Sequence, residues 1–105
     1  MPSFRSSARA RADIFEIAVF TIQRWNEAQA DKYLAGLKEL CQRLAEGDAE
    51  GRARDDIAPG LHRIGYMSHA VFYRLTSYGV RIVRVLHQRL LPDLHSFEDD
   101  EDEQE

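Results

Sequence analysis

His69-Ala70-Val71-Phe72-Tyr73-Arg74-Leu75-Thr76, then Ser77-Tyr78-Gly79, then Val80-Arg81-Ile82-Val83-Arg84-Val85-Leu86-His87 is the stretch that decides the fold. Both long runs are rich in β-branched and aromatic residues, which suit a pleated, half-buried surface. The short Gly-containing connection between them fits a hairpin. A third run, Leu61 to Met67, precedes them directly after Pro59-Gly60, a turn signal. Three consecutive strands joined this tightly form an antiparallel sheet.

The residues before this sheet are helical. From Ala8 to Trp25 the residues Ile14, Ile17, Ala18, Ile22 and Trp25 recur at spacings of three and four, which predicts one buried stripe. Ser6 or Ser7 is placed to cap its start, and Asn26 is expected to end it in a left-handed conformation. A second helix, Glu27 to Ala45, carries the stripe Ala30, Tyr33, Leu34, Leu37, Leu40, Cys41 and Leu44, and Gly47 closes it. Helices with so short a joint lie antiparallel. Ser3 to Ser6 is long enough for a terminal strand, while Gly47 to Gly60 is polar and charged. The expected fold is α+β: an N-terminal strand, then an antiparallel helical hairpin packed on one face of a C-terminal antiparallel sheet.

Length and composition fit one domain. The chain has 105 residues, 44% of them apolar. The longest uninterrupted apolar stretch, Ile17 to Phe20, falls far short of the roughly 20 residues that span a bilayer. The first residues lack the apolar core of a secretory signal, so a cytoplasmic protein is expected. The lone Cys41 forms no internal disulfide and lies on the buried stripe as a small core residue. The histidines His62, His69, His87 and His95 are not at metal-ligand spacing, and no cofactor motif is present.

Charge is unevenly spread. The last eight residues, EDDEDEQE, hold seven of the 18 acidic groups, so residues 1–97 carry 14 basic against 11 acidic side chains. The expected division is a folded domain over 1–97 and a solvated, disordered acidic tail over 98–105. From Leu61 to Phe97 five arginines face the single acid Asp93.

In the last strand, strict alternation places Val80, Ile82, Arg84 and Leu86 on one face and Arg81, Val83, Val85 and His87 on the other. Two helices cover one face of a sheet, so the other is expected to expose apolar surface mixed with arginine, as a binding surface does. Alternatively both faces are core, with Arg84 or Arg81 at a strand edge. Helix one carries a second apolar stripe, Phe15 and Val19 with Phe20 beside it, as a candidate partner contact.

Ser68-His69-Ala70-Val71-Phe72-Tyr73-Arg74 and Ile82-Val83-Arg84-Val85-Leu86-His87-Gln88-Arg89, following a helical hairpin and a Pro-Gly turn, resemble the ParE toxins of the RelE/ParE superfamily. Those sheets typically read S-H-x-x-F-Y-R and then I-x-R-[IV]-L-H-x-R-M-D. The helical half is similar too: Ala10 to Asp13, Arg24-Trp25, Gln29-Ala30 and Tyr33. The resemblance spans about residues 3–95. This chain departs from the pattern at Leu90-Leu91, where Met-Asp is common, in lacking a proline after helix two (Asp48 stands nearby), and in the acidic tail.

The resemblance implies a toxin of a type II toxin–antitoxin system that a cognate antitoxin protein neutralises and that inhibits DNA gyrase, blocking replication. It implies contact with macromolecules and not catalysis, and a possible dimer or hetero-oligomer with antitoxin. The alternative is the superfamily's other activity, a RelE-type ribosome-dependent mRNA endoribonuclease. His69, His87, Tyr73, Arg74 and Arg84 have the side-chain types such cleavage needs. The balanced charge of helix two speaks against direct sequence-specific nucleic-acid binding. The partner-binding residues are expected to be Phe15, Val19, Arg74, Arg81, Arg84, His87, Arg89, Leu90 and Leu91.

Overall fold

A computed structural model describes residues 1–90 and Phe97. The elements run β1 (Ser3–Ser6), α1 (Ala8–Arg24), α2 (Glu27–Glu46), β2 (Arg52–Ala53), β3 (His62–Tyr66), β4 (His69–Thr76) and β5 (Gly79–His87). Their strand order is β1-β5-β4-β3-β2. The hairpins are antiparallel, and β1 pairs with β5 in parallel, so the sheet is mixed.

Caps fix the helix ends. The Ser7 hydroxyl accepts the Ala10 N–H at 3.0 Å and donates to the Val83 carbonyl at 2.8 Å, so one side chain both starts α1 and ties it to β5. Asn26 differs from expectation. Its backbone is extended, and its side chain accepts the Gln29 N–H at 2.8 Å, so it begins α2 instead of ending α1. Gly47 ends α2 at φ 83°, a left-handed value that glycine adopts without steric cost. The Asp48 N–H then reaches back to the Arg43 carbonyl at 2.8 Å.

Two cores lie on opposite faces of the sheet. Between helices and sheet, Ala10, Ile17, Leu37, Cys41 and Leu44 meet Val71, Tyr73, Val80, Ile82 and Val85. Burial pushes the Cys41 thiol up to about 12, as befits an inert core residue. On the far face, Ile57, Leu61, Ala70, Phe72, Val83 and Phe97 form a second cluster. The rings of Phe72 and Phe97 lie 5.0 Å apart. The loop that covers this face is held by its own bonds: Asp55 accepts the Gly60 N–H, and Arg54 grips Asp56 through two nitrogens. The expected bare apolar face is therefore a second core, closed by the 54–61 loop and Phe97.

Strict alternation along β5 fails at a bulge. Phe72 pairs with Arg84 but Tyr73 pairs with Ile82, which leaves Val83 as the extra residue. Beyond it the pattern shifts by one. Val85 joins the helix-side core and Leu86 packs against the far-side cluster, the reverse of their expected faces.

The stripe on α1 also differs from the spacing-based reading. Ala10, Ile17 and Thr21 are buried, while Ile22 and Trp25 are 45% and 64% exposed. The hydroxyl of Thr21 donates to the Ile17 carbonyl at 2.7 Å, which lets a polar residue occupy the buried line.

Candidate functional site

Beside β5, where β1 stops, α1 completes the strand edge. The Ser7 N–H reaches the Ile82 carbonyl at 2.9 Å, the Ser7 hydroxyl reaches Val83, and the Asp13 carboxylate accepts the Val85 N–H at 3.0 Å. The same carboxylate takes the Arg84 guanidinium through Nε at 2.8 Å and through a second nitrogen at 2.9 Å. Both side chains are largely buried, 18% exposed for Arg84 and 12% for Asp13. The Asp13 hydrogen bonds hold the Arg84 guanidinium more firmly protonated than an ordinary arginine. Arg84 is thus a structural cation that fastens the helix to the sheet, not a cation displayed on a bare face.

A groove of about 410 Å³ opens next to this pair. Ile17 and Phe20 of α1 form one wall, and Val85, Leu86 and His87 of β5 the other. His69 and Leu90 close its end, and Glu16 stands at its rim. Its lining is largely apolar, with Glu16, His69 and His87 as polar groups among it, as in many small binding clefts. Phe20 and Leu90 are 62% and 57% exposed, so the groove mouth offers apolar side chains to solvent.

His69 and His87 face each other across the paired strands, ring centroids 5.5 Å apart. Burial, with His87 as a second cause, lowers the His69 pKa below its ordinary 6.5. Its Nδ1 lies 2.6 Å from the Tyr33 hydroxyl of α2. The two groups share one hydrogen bond, its donor set by the tautomer of the His69 ring. Tyr33 is itself held in place, because Tyr66 donates to its backbone carbonyl at 2.7 Å.

The groove gathers Arg84, His87 and Leu90 of the expected contact residues. Arg89 follows β5 on the surface, where its N–H donates to His87 Nδ1 at 3.1 Å. Leu91 lies outside the described residues. Phe15 and Val19 lie elsewhere, on the outer side of α1, 70% and 37% exposed, with Ile22 completing their stripe. Arg74 and Arg81 pair across the face opposite the helices, where Arg74 donates to the Pro59 carbonyl. Seven of the nine expected residues therefore divide among three surfaces, and Arg89 stands just beyond the end of β5.

Sequence reading missed Asp13 as a site residue. Its signal was available: an acid that falls between Ala10 and Ile17 on the buried line of α1 requires a cationic partner. The Tyr33–His69 contact had no such signal, since it joins residues 36 positions apart.

Of the five residue types for phosphodiester cleavage, the groove brings together His69, His87 and Arg84, while Tyr73 and Arg74 lie apart from it. Tyr73 is 2% exposed in the helix-side core, and its hydroxyl accepts the Gly51 N–H at 2.8 Å. Arg74 is on the far face, and Arg84 is bound to Asp13. Among the described residues no group of three or more His, Cys, Asp or Glu is arranged to hold a metal ion.

A helical hairpin on a five-stranded mixed sheet, with a groove between α1 and the last strand, places the chain in the α+β class. The chain belongs to the family described as the ParE toxin of type II toxin-antitoxin systems, parDE, which matches residues 4–92. It is 42% identical over 85 residues to Toxin ParE1 of Mycobacterium tuberculosis, covering 80% of this chain and 87% of that protein. Toxin ParE1 of Caulobacter vibrioides is 36% identical over 95 residues, covering 90% and 98%. A solved structure described as the chromosomal ParDE TA system from P. aeruginosa superposes with a TM-score of 0.70. At 19% identity over 83% of this chain and 96% of that one, it shows the same fold.

Proposed function

We propose that this toxin works in the cytoplasm by protein contact, inhibiting DNA gyrase until a cognate antitoxin covers it. The observation that carries the reading is the apolar surface of α1. Over its last three turns and cap, Phe15, Val19, Phe20, Ile22 and Trp25 stand between 37% and 70% exposed. Hydrophobic side chains massed on one helix of a small domain mark a surface that meets another protein. An amphipathic segment of an antitoxin that lies against such a helix would bury them. Gyrase as the target is supported by membership of the ParE family.

A non-catalytic mode is supported by the way the polar groups are used. The His69 Nδ1 is occupied by Tyr33, the Arg84 charge is neutralised by Asp13, and the Tyr73 hydroxyl is locked in the core.

Induced expression separates the two activities. Gyrase inhibition gives filamentous cells with DNA-damage signalling while protein synthesis continues. Arrest of translation within minutes, with cleaved transcripts, would replace the gyrase reading with the endoribonuclease.

A further inference from the structure

The face opposite the helices carries a row of arginines. Arg5 of β1 pairs with Arg81 of β5, and Arg81 pairs with Arg74 of β4, so the three lie side by side across adjacent strands. Their neighbours Phe4, Val80, Ile82 and Tyr73 belong to the helix-side core, which places all three arginines on the other face. Strands lie about 4.8 Å apart, so the row is about 10 Å wide. The Arg5 guanidinium is steadied over the Tyr78 ring, 4.0 Å from its centroid. Like charges on directly paired positions repel, and an anion on the same face offsets that repulsion.

Phe97, the residue just before the acidic run, lies on this face. It is 5% exposed in the cluster that contains Phe72 and Val83. Arg74 is two residues beyond Phe72 and Arg81 two residues before Val83, each about 7 Å along its strand on the same side. The residue after Phe97 is Glu98, and the run from there to Glu105 holds seven carboxylates. Eight residues reach at most about 28 Å, well over the width of the row. The remainder of the chain has an excess of positive charge, 14 basic against 11 acidic groups.

We propose that the Arg5–Arg81–Arg74 row is a docking surface for acidic peptide segments, and that the chain's own residues 98–105 occupy it. Phe97 is the anchor that sets the local concentration of the acidic run, in the millimolar range for a short tether. An acidic segment of another protein reaches the row only by displacing it. This surface is separate from the apolar face of α1 and from the groove.

The test uses the full chain and a variant in which every acid of the run is neutralised (E98Q, D99N, D100N, E101Q, D102N, E103Q, E105Q). Backbone amide shifts of Arg5, Arg74, Tyr78 and Arg81 should differ between the two proteins at about 0.01 M salt. They should converge at about 1 M, where the screening length has fallen from about 30 to about 3 Å. A labelled hexaglutamate peptide should bind the neutralised variant about tenfold more tightly than the unchanged chain at low salt. Adding R81Q to the neutralised variant should remove that binding. The proposal is overturned by equal shifts at low salt or by shift changes lying elsewhere. Peptide binding that is equal, absent from both proteins or insensitive to R81Q overturns it as well.

Discussion

Replacing Arg84 by alanine leaves the Asp13 carboxylate in a partly dry site with one remaining donor, the Val85 N–H. Breaking a fully buried pair by removing one partner costs about 3–5 kcal/mol, because the other charge stays behind unpaired. Here the side chains are 18% and 12% exposed, so some solvent reaches them. The cost scales down to about 2–3 kcal/mol. For a domain of this size that lowers Tm by about 10–20 °C. Asp13→Ala should cost at least as much, since it also strips the Val85 N–H of its acceptor. In the double variant Asp13→Ala/Arg84→Ala no charge is stranded, so its loss should be smaller than the sum by about 1–2 kcal/mol. Arg84→Lys keeps the charge but not the two-nitrogen grip, and should fall between. Urea and thermal unfolding of the four variants measure the cycle. A change below about 0.5 kcal/mol for Arg84→Ala, the usual size for a surface site, would refute the structural role and return Arg84 to the partner-binding set.

Phe15→Ser with Val19→Ser on the outer face of α1 should leave stability within about 0.5 kcal/mol, yet weaken antitoxin binding by about 2 kcal/mol or more, as titration calorimetry would show. Phe97→Ala opens the second core and should cost about 3 kcal/mol in urea unfolding; an unchanged midpoint would mean that this face is closed without it. His69 binds a proton less readily folded than unfolded, because burial and His87 lower its pKa below 6.5. Folding stability should therefore fall as pH drops through about 6.5, and His69→Gln should flatten that part of the stability curve. A curve of unchanged slope in the variant would assign the fall to other groups.

Most of the fold was legible because hydrophobic period and turn chemistry agree along the chain. Alternating Val, Ile and Phe set β4 and β5, Ser7 and Gly47 set helix ends, and the α2 stripe from Ala30 to Leu44 is the one that is buried. What period alone could not supply is the bulge at Val83. It moves Val85 and Leu86 to opposite faces from those expected, and nothing in Arg81-Ile82-Val83-Arg84 distinguishes one register from the other. The end of α1 was misread for a related reason. Ile22 and Trp25 have the right spacing for the core, but Thr21 takes the buried position by satisfying its own hydroxyl. The second core was only the alternative reading because a polar loop hides Ile57 among charges, and the folded chain shows Ile57 and Leu61 joined with Phe72, Val83 and Phe97. The candidate site was legible as a set of residue types, but its division among groove, outer helix face and far sheet face depends on contacts between residues as far apart as Asp13 and Arg84.

Supercoiling of relaxed plasmid by purified gyrase, with this toxin added in increasing amounts, tests the central claim most directly. Inhibition by contact predicts that supercoiling stops and that broken, gyrase-bound plasmid accumulates. Both effects should be reversed by the cognate antitoxin and lost in Phe15→Ser/Val19→Ser if the same face engages the enzyme. Undiminished supercoiling at a large excess of folded toxin would contradict the account.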